Sequence, residues 1–292
     1  MSEPSGELPA EGEATASNSH GPRAALATPG QAAGGLVLIA LLFFTLAGGL
    51  SLLVGMEPAL FLAQWIGLFL AVLLLARLQR LDLRQVFFLR KPARRELTAG
   101  LFLILGGMPL ALFLAWVQGF FMEVPTELLE QLQEMVTADT LPRLLWLLVL
   151  LAVTPAVCEE FVFRGFLLSS TERRFSVVPL LLLNGAVFGA FHLNAFRILP
   201  TAFLGALLAL VVWRTRSIWT GVFMHMMNNA AIVILSAEPF LPLMEGMMED
   251  RPPLLILPLA LASLGFGAYL LFSESAEADD AGQRSSTWDG AG

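Results

Sequence analysis

Long apolar runs, separated by short polar stretches, recur along this chain. Eight of them, at about 34–54, 58–78, 97–121, 142–168, 176–194, 197–213, 217–236 and 253–272, approach the roughly 20 residues that a helix needs to cross about 30 Å of hydrocarbon. The pattern predicts an all-α fold, a polytopic membrane bundle of about eight transmembrane helices. The third, fifth and seventh runs carry internal Gly, Pro or polar residues, which membrane helices tolerate when neighbours pack against them. Between the third and fourth runs, TELLEQLQEMVT (126–137) spaces its leucines and methionine helically among glutamates. It reads as a short interfacial helix or as an ordinary solvated connection. Residues 1–33, rich in Gly, Ala, Pro, Ser and Glu, have no apolar face and read as a disordered tail, and 273–292 as a second polar tail. No basic segment leads into a short apolar core at the start, so a signal peptide is not expected. The transmembrane domain is accordingly 34–272.

Composition agrees with the pattern. The 292 residues are 57% hydrophobic and 14% charged, against about 45–50% and 25% in soluble domains. The net charge of -7 comes without a basic block, so nucleic acid is not an expected partner. Membrane lipid is. One cysteine, Cys158, excludes an intramolecular disulfide and a Cys-built zinc cage. The connection after the second run carries Arg77, Arg80, Arg84, Arg90, Lys91, Arg94 and Arg95, and Arg173, Arg174, Arg214 and Arg216 mark two more turns. By the positive-inside rule these face the cytoplasm, as then do both termini. An Ala-, Leu- and Arg-rich chain with a single Lys suggests a high-GC bacterium and its cytoplasmic membrane. No internal repeat is evident, which counts against a transporter built from inverted halves.

Against this apolar background a few polar residues stand out. Glu159 and Glu160 lie within the fourth run, and His192 and His225 in the fifth and seventh. Intramembrane ionisable groups are costly and point to a functional site. Glu160 and Arg164 are four apart, the spacing of an ion pair on one helix face. Glu159 points about 100° away and has no partner in sequence, so it is free to exchange protons. His225 and Asn229 are also four apart, whereas Asn228 faces elsewhere. Pro155 should free a backbone carbonyl one turn before Glu159. From the turns at 172–176 and 216, Glu159 and His192 come out roughly 22–27 Å deep but His225 only about 14 Å. Blander readings stay open: a buried Glu160–Arg164 pair that fixes helix register, histidines that only pack, and Cys158 as a small buried hydrophobe.

The segments EEFVFRG (159–165), FGAFH (188–192) and HMMNN (225–229) resemble, in order, the EExxxR, FxxxH and HxxxN motifs of the CAAX-processing and bacteriocin-processing (CPBP, or Abi) family of intramembrane proteases, which includes the type II CAAX prenyl endopeptidases. The resemblance covers about residues 140–236. It implies an intramembrane endopeptidase acting on a membrane-associated or lipidated peptide. Glu159 would activate the hydrolytic water, Glu160 would support it under the hold of Arg164, and His192 would orient that water. His225 and Asn229 would polarise the scissile carbonyl, and Phe188 would pack. Members of the family are described as metalloproteases. Zinc is therefore a candidate cofactor, with His192, His225 and Glu159 as its ligands, although HExxH is absent and a metal-free site is chemically sufficient. Two alternatives come from other classes: a non-catalytic bacteriocin-immunity or scaffold protein of the same fold, and a proton-coupled transporter.

Overall fold

A computed structural model describes residues 26–122, 134–237, 254 and 256–288. The regular structure among the described residues is helical, apart from one isolated antiparallel bridge between Leu89 and Ser217. Eight principal helices follow in chain order: α1 Pro29–Val54, α2 Met56–Leu78, α3 Arg94–Gly119, α4 Leu141–Thr171, α5 Val177–Phe191, α6 Ile198–Thr215, α7 Ile218–Leu235 and α8 Leu257–Trp288. The expected helical membrane bundle is thus present.

Its bounds differ from the apolar runs in three places. Helix α1 starts at Pro29, because Thr28 and Gln31 form a reciprocal capping box and Pro29 takes the first helical position. The residues just after 28 therefore belong to α1 and not to a tail. The α8 backbone runs on past 273 to Trp288. Helix α5 has 15 residues and stops at Phe191, so His192 caps it instead of lying inside it. Among the described residues six segments are long and apolar enough to cross a membrane; Val177–Phe191 and Leu257–Ser273 are shorter. At 1.5 Å per residue α5 extends about 22 Å, less than a hydrocarbon core. The expected interfacial helix lies largely outside the described residues, as do 1–25 of the expected tail.

The turns that the arginines mark share one end of the molecule. Ile218 N–H donates to Phe88 C=O at 3.1 Å, Arg90 Nε to Thr215 C=O at 3.0 Å, and Arg216 pairs with Glu172. At the other end Glu57 of α2 binds Arg143 of α4 at 2.6 Å. Small residues let helices close up. A Cβ on Gly185 of α5 would come within 2.4 Å of Ala202 C=O on α6, and one on Gly106 of α3 within 2.4 Å of Ala260 C=O on α8. Helix α4 widens into π-helical turns at Leu148–Val153 and Phe161–Leu167, on either side of the α-helical stretch Thr154–Glu160. Such turns often mark functional sites.

Candidate active site

Glu160 is the point where α4 and α7 lock together. Its side chain is 0% exposed, and Oε1 accepts from Arg164 Nη1 at 2.9 Å and from His225 Nδ1 at 2.9 Å. An ionised carboxylate only accepts, so the hydrogen bond assigns the ring proton to Nδ1 and leaves the lone pair on Nε2. The direct contact removes the depth mismatch expected for His225. Helix α4 ends at Thr171, which puts Glu160 only about 17 Å from that end. Gly221 on α7 makes the approach possible, since a Cβ there would meet Glu160 Oε2 at 2.7 Å and Val212 Cγ2 at 2.6 Å.

Arg164, also fully buried, completes this support. Its Nη2 donates to Gly205 C=O of α6 at 2.9 Å, and its guanidinium lies 4.2 Å over the Phe188 ring. A buried ion pair needs such extra partners to offset its desolvation. The Phe188 ring also meets Phe163 at 5.2 Å, His192 at 4.8 Å and His225 at 5.8 Å, all near perpendicular. Phe188 is therefore the shared wall of the site as well as a packing residue.

Glu159 presents a contrast one residue away. Its side chain is 12% exposed, and Oε2 lies 4.0 Å from His225 Nε2. That oxygen, like Glu160 Oε2, is buried with no hydrogen-bond partner among the described residues, but Glu159 lacks the ties that hold Glu160 through Oε1. One turn further along α7, Asn229 Nδ2 donates to Leu151 C=O at 2.9 Å. Leu151 lies in the π-helical turn Leu148–Val153, just ahead of Pro155. The side chains of neighbouring residues reach each other along the rim, and Asn228 Nδ2 donates to Asn229 Oδ1 at 3.0 Å.

His192 is brought to the same level by Phe163, which packs on both Phe188 and Phe191. It is exposed, and its Nδ1 bonds Phe188 C=O at 2.9 Å, which leaves Nε2 for other partners. Glu159, Glu160, Arg164 and His225 thus form one contiguous group, Asn229 flanks it, and His192 joins through the Phe188 ring. The proposed zinc ligands do not converge in the same way. Among the described residues no group of three or more His, Cys, Asp or Glu is placed to hold a metal ion. His225 turns Nε2 towards Glu159, and Nδ1 is already given to Glu160. As placed, these residues do not match a three-ligand zinc site.

Two residues of the site lie outside the motifs. Gly221 gave no signal beyond being small. Gln118, near the end of α3, is buried; it accepts from Leu199 N–H at 3.0 Å and donates to Ala195 C=O. Its only sequence signal was a lone amide closing an apolar run.

Residues 141–231 match the family model described as type II CAAX prenyl endopeptidase, Rce1-like. Over 101 residues the chain is 24% identical to YdiL of Bacillus subtilis (strain 168), a protein provisionally named as a membrane peptidase. That alignment covers 35% of this chain and 41% of YdiL, so the chain spans less than half of that relative. No solved structure matches the chain.

Proposed function

We propose, from the match of residues 141–231 to the type II CAAX prenyl endopeptidase model, that this chain is a CPBP-family intramembrane protease and hydrolyses peptide bonds with a water activated by Glu159. One observation carries the assignment. Among the described residues Oε2 of both carboxylates is buried without a hydrogen bond, but Glu160 is held through Oε1 by Arg164 and His225, whereas Glu159 accepts no hydrogen bond at all and its Oε2 lies 4.0 Å from His225 Nε2. A single water fits such a gap and donates one O–H to each acceptor.

The chemistry follows from these positions. Glu159 takes a proton from the water, and the water oxygen bonds to the scissile carbonyl carbon. Asn229 Nδ2 has a second hydrogen beyond the one given to Leu151, and this donates to the developing oxyanion. Glu159 then returns its proton to the amide nitrogen as the C–N bond breaks. The Glu160–Arg164 pair fixes the His225 ring, so that Nε2 orients the water. His192 Nε2 accepts the N–H of a substrate amide.

The substrate class is a membrane-associated or lipidated peptide, because the carboxylates lie within apolar helices and short α5 ends at their level. Cleavage of a lipidated C-terminus is the inherited form of that reading. The arginine-rich end faces the cytoplasm, with the termini on that side. The test uses the purified chain in bilayers with fluorogenic lipidated and unlipidated peptides, alongside membrane proteomics for unprocessed termini. Glu159→Gln abolishes cleavage in both assays. If processing persists unchanged in the variant, or neither assay shows any in wild type, the peptidase reading fails. A scaffold or immunity role then predicts protection that survives Glu159→Gln, and a transporter predicts flux driven by a pH gradient.

A further inference from the structure

His192 is followed by a backbone conformation that needs holding in place. Leu193 has φ +48°, in the left-handed region that bulky side chains rarely adopt. Such strain persists where the surroundings over-determine it, and it clusters at functional sites. Three contacts fix this turn. Leu193 N–H donates to Ala190 C=O at 3.1 Å, Asn194 Oδ1 accepts from Phe196 N–H at 3.1 Å, and Gln118 bridges Ala195 C=O and Leu199 N–H.

The Gln118 contacts differ in kind from the other two. They come from a separate helix, 77 and 81 residues away in sequence. They pair the Ala195 carbonyl, in the 3-10 turn Ala195–Arg197, and one of the orphan N–H groups at the start of α6. Non-helical backbone at membrane depth must find such partners in protein. The Gln118 side chain is 4% exposed, so water does not replace it readily.

We infer that Gln118 is a positioning residue, which holds the strained Leu193 turn and thereby aims His192 at the substrate. The inference rests on the peptidase reading for its functional half. With Gln118 removed, Leu193 relaxes to negative φ and the His192 ring leaves its place against Phe188. The clamp also makes the aim of His192 depend on where α3 sits.

The test combines three substitutions and two readouts. Gln118→Met keeps the size and removes both hydrogen bonds, whereas Gln118→Glu keeps the acceptor for Leu199 N–H. Leu193→Asn lowers the strain, because Asn tolerates the left-handed region. With peptide substrate, Gln118→Met lowers kcat/KM by about tenfold to a hundredfold, and Gln118→Glu lowers it less. Adding Leu193→Asn to Gln118→Met recovers at least about threefold. Additive effects, or no loss in Gln118→Met, overturn the inference. The second readout needs no cleavage. With three histidines in the chain, ring 13C labelling resolves His192 by NMR. Its signal shifts or splits in Gln118→Met and returns towards the wild-type position in the double variant. An unmoved His192 signal rejects the clamp. Moved signals in a chain that never cleaves peptide instead reject the peptidase reading alone.

Discussion

Two carboxylates in this molecule hold nearly the same partners in different surroundings. Glu57, towards one end of α2, binds Arg143 at 2.6 Å and accepts from Trp146 Nε1 at 2.7 Å. Glu160, in the middle of α4, takes Arg164 and the Nδ1 of His225, each at 2.9 Å. Each joins one guanidinium and one aromatic ring nitrogen. Glu57 and Arg143 are about 30% exposed, and Glu160 and Arg164 are wholly buried. Water can replace a lost partner at the first pair and cannot at the second. Next to the second pair stands Glu159, a carboxylate with no hydrogen-bond partner among the described residues. The inventory of a site is thus shared with a surface staple, and burial together with the unpartnered neighbour separates the two.

Removing that neighbour gives the largest expected effect. Glu159→Gln keeps size and helix and removes the base, and kcat should fall by about 10²–10⁴ while the thermal midpoint stays close to wild type. Cleavage within about threefold of wild type would move the chemistry away from Glu159. Next comes Arg164→Met, which leaves Glu160 buried with one partner fewer. Loss of one member of a buried pair costs about 3–5 kcal/mol, measurable by denaturation in detergent. Activity falls as well, because His225 loses the anchor that fixes its ring. Gly221→Ala is a milder intrusion on the same spot. The new methyl meets Glu160 Oε2 and Val212 Cγ2 at under 3 Å, an overpacking worth about 1–3 kcal/mol.

Much of this site is legible in the order of residues, and the rest is not, for physical reasons. The Glu160–Arg164 pair follows from helical spacing alone. Which carboxylate His225 reaches depends on how deep α7 sits against α4. A count of residues from the turns misjudges that depth, because it ignores where α4 ends. The short α5 hides within a longer apolar run, since Leu193 is as hydrophobic as any helical residue and only its backbone angle reveals the break. Gln118 is invisible for another reason. A buried amide that pairs backbone groups of a distant loop leaves no periodic trace. In the same way, the capping box of Thr28 and Gln31 sits in a Gly- and Ala-rich stretch with no apolar periodicity to announce a helix.

The smallest effect is the one that keeps the comparison honest. Glu57→Gln retains the Trp146 hydrogen bond and removes the charge facing Arg143. For a partly exposed pair the loss should be about 0–1 kcal/mol, and it should shrink further in high salt, where exposed charges are screened. Arg143 can turn to water, so no buried charge is stranded. Peptide cleavage should match wild type, because α2 and α4 still meet through Phe61 on Trp146 and Phe69 on Phe161. A different outcome is easy to recognise. If Glu57→Gln lowered kcat as far as Arg164→Met does, with the thermal midpoint unchanged, the α2–α4 staple would be setting the position of Glu159. The two carboxylates would then be parts of one device.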